Sequence, residues 1–218
     1  MSVEVQRHKT AIGRPALSLP AKLLFQSGLV TDETSVLDYG CGRGDDVKFL
    51  KELGIPAVGW DPHFIPNPAL LVPHDIVNLG FVLNVIEDPA ERKTVLTDAY
   101  ALADKCLSVS VMLHSQNDTV TSIPHRDGQL TAKKTFQKYY EQIELEELIS
   151  NQLSASPIAA APGVFFIFKE KISCNTRKGN FKVFLINLLG STKLNSFINN
   201  ILKPDFVSIT SDDFFEKK

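Results

Sequence analysis

Short apolar runs separated by longer amphipathic stretches occupy the first 170 residues, the pattern of strands alternating with helices. Val36-Leu-Asp-Tyr39 and Ala57-Val-Gly-Trp60 read as short strands, and between them Lys48-Phe-Leu-Lys-Glu-Leu-Gly54 reads as a helix closed by a glycine C-cap. His74-Asp-Ile-Val-Asn-Leu-Gly80 is apolar on both faces, as a strand inside a parallel sheet should be. Asp88-Pro-Ala-Glu91 joins an acidic N-cap, a proline in the first turn and a following glutamate, which predicts a helix to about Lys105. A further strand follows over Cys106–Leu113. Ser115–Thr131 is polar and turn-rich, with Pro124 and Asp127-Gly128, and is expected to be a loop or flexible lid. From Thr135 to about Leu153 the spacing predicts a helix that sets Phe136 and Tyr140 on its core face at i and i+4. Two apolar segments split by Pro162-Gly163, at 156–161 and 164–168, read as a closing β-hairpin.

The flanks differ in character. Residues 5–30 hold Arg7, His8, Lys9, Arg14 and Lys22 against Glu4 just before them, and Ser18-Leu-Pro-Ala-Lys resembles a helix start with Ser18 as N-cap. This segment is either a solvated cap packed on the sheet edge or an arm over a cleft whose cations meet phosphates. Residues 171–218 carry eight basic and four acidic side chains. Leu194, Phe197, Ile198, Ile201 and Leu202 there fall at helical spacing before Pro204, and Ser211-Asp-Asp-Phe-Phe-Glu would open another helix just where the sequence stops. The division expected is a basic helical cap at 1–30, a catalytic domain at 31–170 and a helical appendage at 171–218, truncated relative to a longer protein.

The most informative stretch is Val36-Leu-Asp-Tyr-Gly-Cys-Gly-Arg-Gly-Asp-Asp46. A strand ends in glycines that accept positive φ and let a ligand approach the backbone, and a helix then directs its N-terminal amides at that point. Asp61 lies 21 positions after Gly40, at the end of the next strand. In nucleotide-binding βαβ units an acid at about that distance takes the ribose hydroxyls.

A net charge of −2 argues against wholesale nucleic-acid binding, though not against a local basic patch. The three cysteines at 41, 106 and 174 are too scattered for a zinc signature and suit a reducing compartment. The polar start has no signal-peptide pattern, and no apolar run reaches the roughly 18 residues that span a bilayer. The address expected is cytoplasmic, with no membrane and no metal.

Asp38-Tyr-Gly-Cys-Gly-Arg-Gly44 resembles motif I of the class I S-adenosylmethionine-dependent methyltransferases. The resemblance implies an α/β, Rossmann-like fold: a mostly parallel sheet of the seven-stranded type, flanked by helices. Between Asp61 and Asp75, however, the chain has room for little more than Ala69-Leu-Leu-Val72 as a degenerate third strand, which leaves the adenine contacts unassigned. The cofactor implied is S-adenosylmethionine. Asp38 would hold its methionyl ammonium, Gly40, Gly42 and Gly44 would line the methionine, and Asp61 would take the ribose. Tyr39, Cys41, Asp45, Trp60 and Pro62, with Asn78, Leu79 and Gly80 at the end of the next strand, complete the cofactor set. Asn78, Phe81 and Asn84 are the catalytic candidates, an asparagine carbonyl orienting an amine. Asn78-x-x-Phe81 bears a distant likeness to the motif of amino-group DNA methyltransferases but lacks its two prolines.

Five strings, Arg7–Arg14, Val36–Asp46, Gly59-Trp-Asp-Pro62, Val77–Glu91 and Thr135–Glu141, are together similar to putative methyltransferases associated with bacterial DNA phosphorothioation. That likeness implies a nucleic-acid acceptor, DNA before RNA, and DNA-modification proteins as partners. Arg7, His8, Lys9, Arg14, Lys138 and Tyr139 are the substrate-binding candidates on that reading. RNA or a small molecule as acceptor, and a non-catalytic regulator or scaffold that binds the cofactor, are the alternatives.

Overall fold

The computed structural model describes residues 5–116 and 122–169. The helical appendage expected at 171–218 lies outside the described residues. A 3-10 turn (Arg7–Thr10) and helix α1 (Leu19–Gln26) precede a β1 (Val36–Tyr39), α2 (Asp45–Glu52), β2 (Ala57–Trp60) unit. Then come β3 (His74–Gly80), α3 (Pro89–Ala101) and β4 (Ala103–Ser110). Short strands β5 (Ser122–His125), β6 (Gly128–Thr131) and β7 (Phe136–Gln137) form a small antiparallel sheet of their own. Helix α4 (Gln142–Leu153) leads to β8 (Ile158–Ala161) and β9 (Val164–Phe168). The main sheet is ordered β2-β1-β3-β4-β9-β8, with the first four strands parallel and β9 antiparallel to both its neighbours, β4 and β8.

Successive strand residues point to opposite faces, so one strand feeds two cores. Val36, Ile76, Cys106 and Phe166 join α1's Leu24 and α2's Leu50 on one face. Leu37, Val77, Leu107 and Ile167 meet α3's Leu96 and α4's Leu145 and Ile149 on the other. That double burial is why Ile76, Val77 and Leu79 of β3 are apolar although they point to opposite faces.

Four expectations need correction. First, the main sheet has six strands among the described residues, not seven. After β2 the chain turns through a single bridge, Asp61 to Ile65, and a 3-10 turn (Pro68–Leu70) capped by the Asn67 side chain. Prolines at 62, 66 and 68 remove the amide donors a ladder needs. Second, α3 stops at Ala101 and the strand begins at Ala103 rather than Cys106, ending at Ser110 rather than Leu113. Pairing decides this: His74 N–H donates to Leu102 O, His74 registers with Ala103, and Lys105 reaches Asp75 at 2.7 Å.

Third, part of the expected lid is a hairpin, with Arg126 at a φ of 52° in its two-residue turn. Fourth, helix α4 begins at Gln142, not Thr135. Phe136 and Tyr140 are buried, but on extended chain. The Phe136 ring crowds Gly128, where an added Cβ would stand 2.5 Å from its Cζ, and Tyr140 bridges to Leu113.

One ion-pair cluster fastens this hairpin to the body. Asp127 in the turn pairs with the buried Arg92 of α3 and with Lys138, whose ammonium also reaches Glu144 at 2.8 Å and lies 4.7 Å from the Tyr140 ring centroid.

Candidate functional site: a cleft over the glycine loop

The ends of β1, β2 and β3 open onto a cavity of about 530 Å³, roofed by the N-terminal segment. The loop from β1 to α2 is tightly specified. Gly40, Gly42 and Gly44 all hold positive φ, at 78°, 55° and 81°. Gly40 and Cys41 both donate their N–H to Trp60 O, at 2.7 and 3.0 Å. At Gly40 a Cβ would fall 2.4 Å from a methyl of Val82, so side chains from the next loop close directly over its backbone.

Asp61 anchors the neighbouring turn. One of its oxygens accepts from Gly42 N–H at 3.0 Å, and the other accepts from His63 N–H at 2.8 Å and Phe64 N–H at 2.9 Å. The two acids opening α2 face the N-terminal segment: Asp45 accepts from Arg14 N–H and Asp46 from Ser18 N–H, each at 2.7 Å. That segment runs as a strap across the loop, with Ala11 resting on Gly42 and His8 stacked on His63 at 4.3 Å.

Beneath the loop, Asp38 and Asn78 sit side by side on adjacent strands, both buried. Asn78 Nδ2 donates to Asp38 at 2.9 Å, while its own carbonyl oxygen has no partner. Burial, reinforced by Asp46, pushes the Asp38 carboxyl up to about 7, against the opposing pull of Asn78 and Arg14. Burial also pushes the Cys41 thiol up to about 12, which removes it as a nucleophile near neutral pH.

Of the expected cofactor residues, Tyr39, Gly40, Cys41, Gly42, Asp45, Trp60, Asp61, Pro62 and Gly80 line the cavity. Asp38 and Asn78 lie behind its wall. Gly44 is not on the wall, and Leu79 is packed in the core cluster with Leu37. Phe81 and Asn84 also line the cavity. Phe81 holds a φ of 60°, a sparsely populated conformation for a bulky residue, fixed in part by donation of its N–H to Ser110 O at 2.9 Å. Asn84 is tied to Lys138 through both its backbone and its amide nitrogen, and its buried Oδ1 has no partner.

The expected substrate residues scatter. Arg7, His8, Arg14 and Tyr139 line the cavity, whereas Lys9 is exposed beside it and Lys138 is buried in its ion pairs. Arg7 is itself taken up by Glu91, at 2.5 and 2.6 Å, and Glu87, at 2.8 Å. Their hydrogen bonds hold its guanidinium protonated well above the usual arginine range. Arg14 lies over the Phe81 ring and 4.0 Å from Asp46.

The sequence reading passed over His63, Phe64, Val82, Val85, Met112 and Gln137, which also form the wall. His63 and Phe64 carried a signal, since they come two and three residues after Asp61. Gln137 carried none, because only the small sheet's docking brings it in, while Met112 comes two residues after β4 of the main sheet. Among the described residues there is no cluster of three His, Cys, Asp or Glu placed to hold a metal, and no helix long and apolar enough to cross a membrane.

Among solved structures, the amino pentose methyltransferase of Micromonospora echinaspora, a structure with S-adenosylmethionine bound, overlays 78% of this chain and 99% of its own at 12% identity, with a TM-score of 0.51. The fold is that of the S-adenosylmethionine-dependent methyltransferases. A second similar structure is the 1,6-didemethyltoxoflavin-N1-methyltransferase of Burkholderia thailandensis, with 1,6-didemethyltoxoflavin and S-adenosylhomocysteine bound. It is 18% identical, covering 70% of this chain and 78% of that one, with a TM-score of 0.49. No family model matches the sequence, and no curated protein matches it.

Proposed function

We propose that this protein is a methyltransferase that uses S-adenosylmethionine. One observation carries the reading: Gly40 and Gly42, both at positive φ, and Asp61 at the next strand end line one cavity, with Asp38 buried behind its wall. Its volume lies within the range of sites that enclose a small ligand. The donor set fits the cofactor. Asp61 gives three of its roughly four acceptor sites to Gly42, His63 and Phe64 N–H and keeps one, on Oδ2, for a ribose hydroxyl. The backbone of residues 40–42 offers a close surface for the amino-acid part, and Asp38 stands behind it as counter-charge, acting through a bridging water.

Bound there, the cofactor supplies an activated methyl for direct displacement. The protein's own part is to hold the acceptor in line, which is worth a large share of the rate. Phe81 and Asn84, on the cavity wall beyond Gly80, are the residues placed to do so: the ring as a surface, the Asn84 Oδ1 as an acceptor for an N–H or O–H. Cys41, held neutral, takes no covalent part.

The narrower reading, a DNA acceptor in a phosphorothioation system with protein partners, rests on the sequence strings. Arg7, Arg14 and Lys138, which it assigns to phosphates, are engaged by the chain's own carboxylates. We favour a small molecule as acceptor for that reason. Exposed Lys9, Arg43, Lys133 and Lys134 are what a nucleic acid would use.

Calorimetric titration with S-adenosylmethionine and S-adenosylhomocysteine, on wild type and Asp61→Ala, tests the core proposal. Binding that the substitution abolishes supports it, and no binding by wild type refutes it. Methyl incorporation into duplex DNA, which exposed-lysine substitutions then weaken, would overturn the preference for a small acceptor.

A further inference from the structure

The strand that would flank β2 is replaced by the Asp61–Ile65 turn, and the N-terminal strap lies against that turn. We infer that the strap supplies one wall of a purine-base subsite, with His8 as the residue that packs on the base. The inference rests on Asp61 holding the ribose of the cofactor.

In a nucleoside the base is attached to the same sugar ring as the hydroxyl that Asp61 would hold, so its ring lies within a few ångströms of that carboxylate. The backbone amides of His63 and Phe64 donate directly to the carboxylate, so their side chains flank the same spot. His8 lies on His63 with ring centroids 4.3 Å apart and planes within 16°, and His63 meets Phe64 edge to face at 4.8 Å. All three rings line the cavity. Because His8 and His63 cover each other's inner faces and Phe64 stands perpendicular to His63, the His8 face left for a base is the one opposite His63. Such a ring face stacks bases without sequence-specific contacts.

His8 is held there from both sides. Arg7 is clamped by Glu87 and Glu91 at the start of α3, and Ala11 sits on Gly42. The strap therefore reaches the base position with its anchor residues already docked, and base binding requires no new fold.

The chain's single tryptophan, Trp60, lines the same cavity and reports on ligand entry by fluorescence. Adenosine and S-adenosylhomocysteine are titrated separately into the full chain. On the inference, both bind wild type, His8→Ala weakens both by about tenfold, and His8→Phe, which restores a flat ring, recovers most of the loss. Asp38→Asn weakens S-adenosylhomocysteine but leaves adenosine unchanged, because adenosine has no ammonium. If His8→Ala binds both ligands within twofold of wild type, the strap is not part of the base site, although the cofactor reading stands. If His8→Phe is as weak as His8→Ala, ring stacking is not the role of His8 and the inference is overturned. If wild type binds neither ligand, the cofactor reading fails and the inference with it.

Discussion

Replacing Gly40 by alanine tests how the cleft is built. Two separate costs fall on the new methyl group. The backbone there has a φ of 78°, left-handed territory that costs an L-residue about 1–2 kcal/mol. The Cβ would also stand 2.4 Å from Val82 Cγ2. Valine is stiff at χ1 and cannot swing the methyl aside, so overpacking of about 1–3 kcal/mol is added. The sum is about 2–5 kcal/mol, a large part of a typical domain's stability. The two parts separate in a double-mutant cycle. Val82→Ala removes both methyls and leaves Val82's Cβ at 3.5 Å, an ordinary contact. In that background Gly40→Ala should cost only its backbone part, a coupling of about 1–3 kcal/mol. Urea denaturation of the four proteins gives each value, and ligand titration of the folded ones shows whether cavity binding falls in parallel. A cost below about 0.5 kcal/mol for Gly40→Ala, or no coupling to Val82, would refute this account of the loop.

Three further predictions follow from the same geometry. Asp127→Asn leaves Arg92 buried without its ion pair and should destabilise by about 2–4 kcal/mol, at the low end of buried-pair values because Asp127 is 39% exposed; thermal melts of wild type and variant measure it. Asp38 is raised from its usual value to about 7, so the folded state binds a proton that the unfolded chain has released above about pH 4. Stability from this group is therefore greatest in acid and is lost as pH rises towards 7, by an amount of order 4 kcal/mol at most. Asp38→Asn should flatten that pH slope, and wild-type affinity for the cationic cofactor should rise from pH 6 to 8 while the variant's does not. Cys41, neutral at pH 7.5, should be alkylated by iodoacetamide far more slowly than an unperturbed thiol, as followed by mass spectrometry of its peptide; rapid labelling would contradict the burial that holds it neutral.

What the sequence determined by itself is the β1–α2–β2 unit and the hairpin at the far edge. Their signals are local: glycines that alone suit the left-handed turn, Gly54 at a φ of 80° closing α2, and Pro162-Gly163 between two apolar runs. The short span between Asp61 and Asp75 announced that little room was left for a third strand, and only the fold shows a turn in its place. The tertiary structure decided the rest, because the deciding interactions join residues far apart in the chain. Phe136 and Tyr140 have helical spacing, yet Gly128 and Leu113 draw them into extended chain, and no window of sequence contains that competition. Ala103 to Lys105 can follow α3 or pair with β3, and the partner strand settles it. Arg7 of the strap and Lys138 beside β7 look free when read in order. Only the fold brings Glu87 and Glu91 to Arg7, and Asp127 and Glu144 to Lys138. Charge pairing over such separations depends on distance in space, and linear order carries no measure of that.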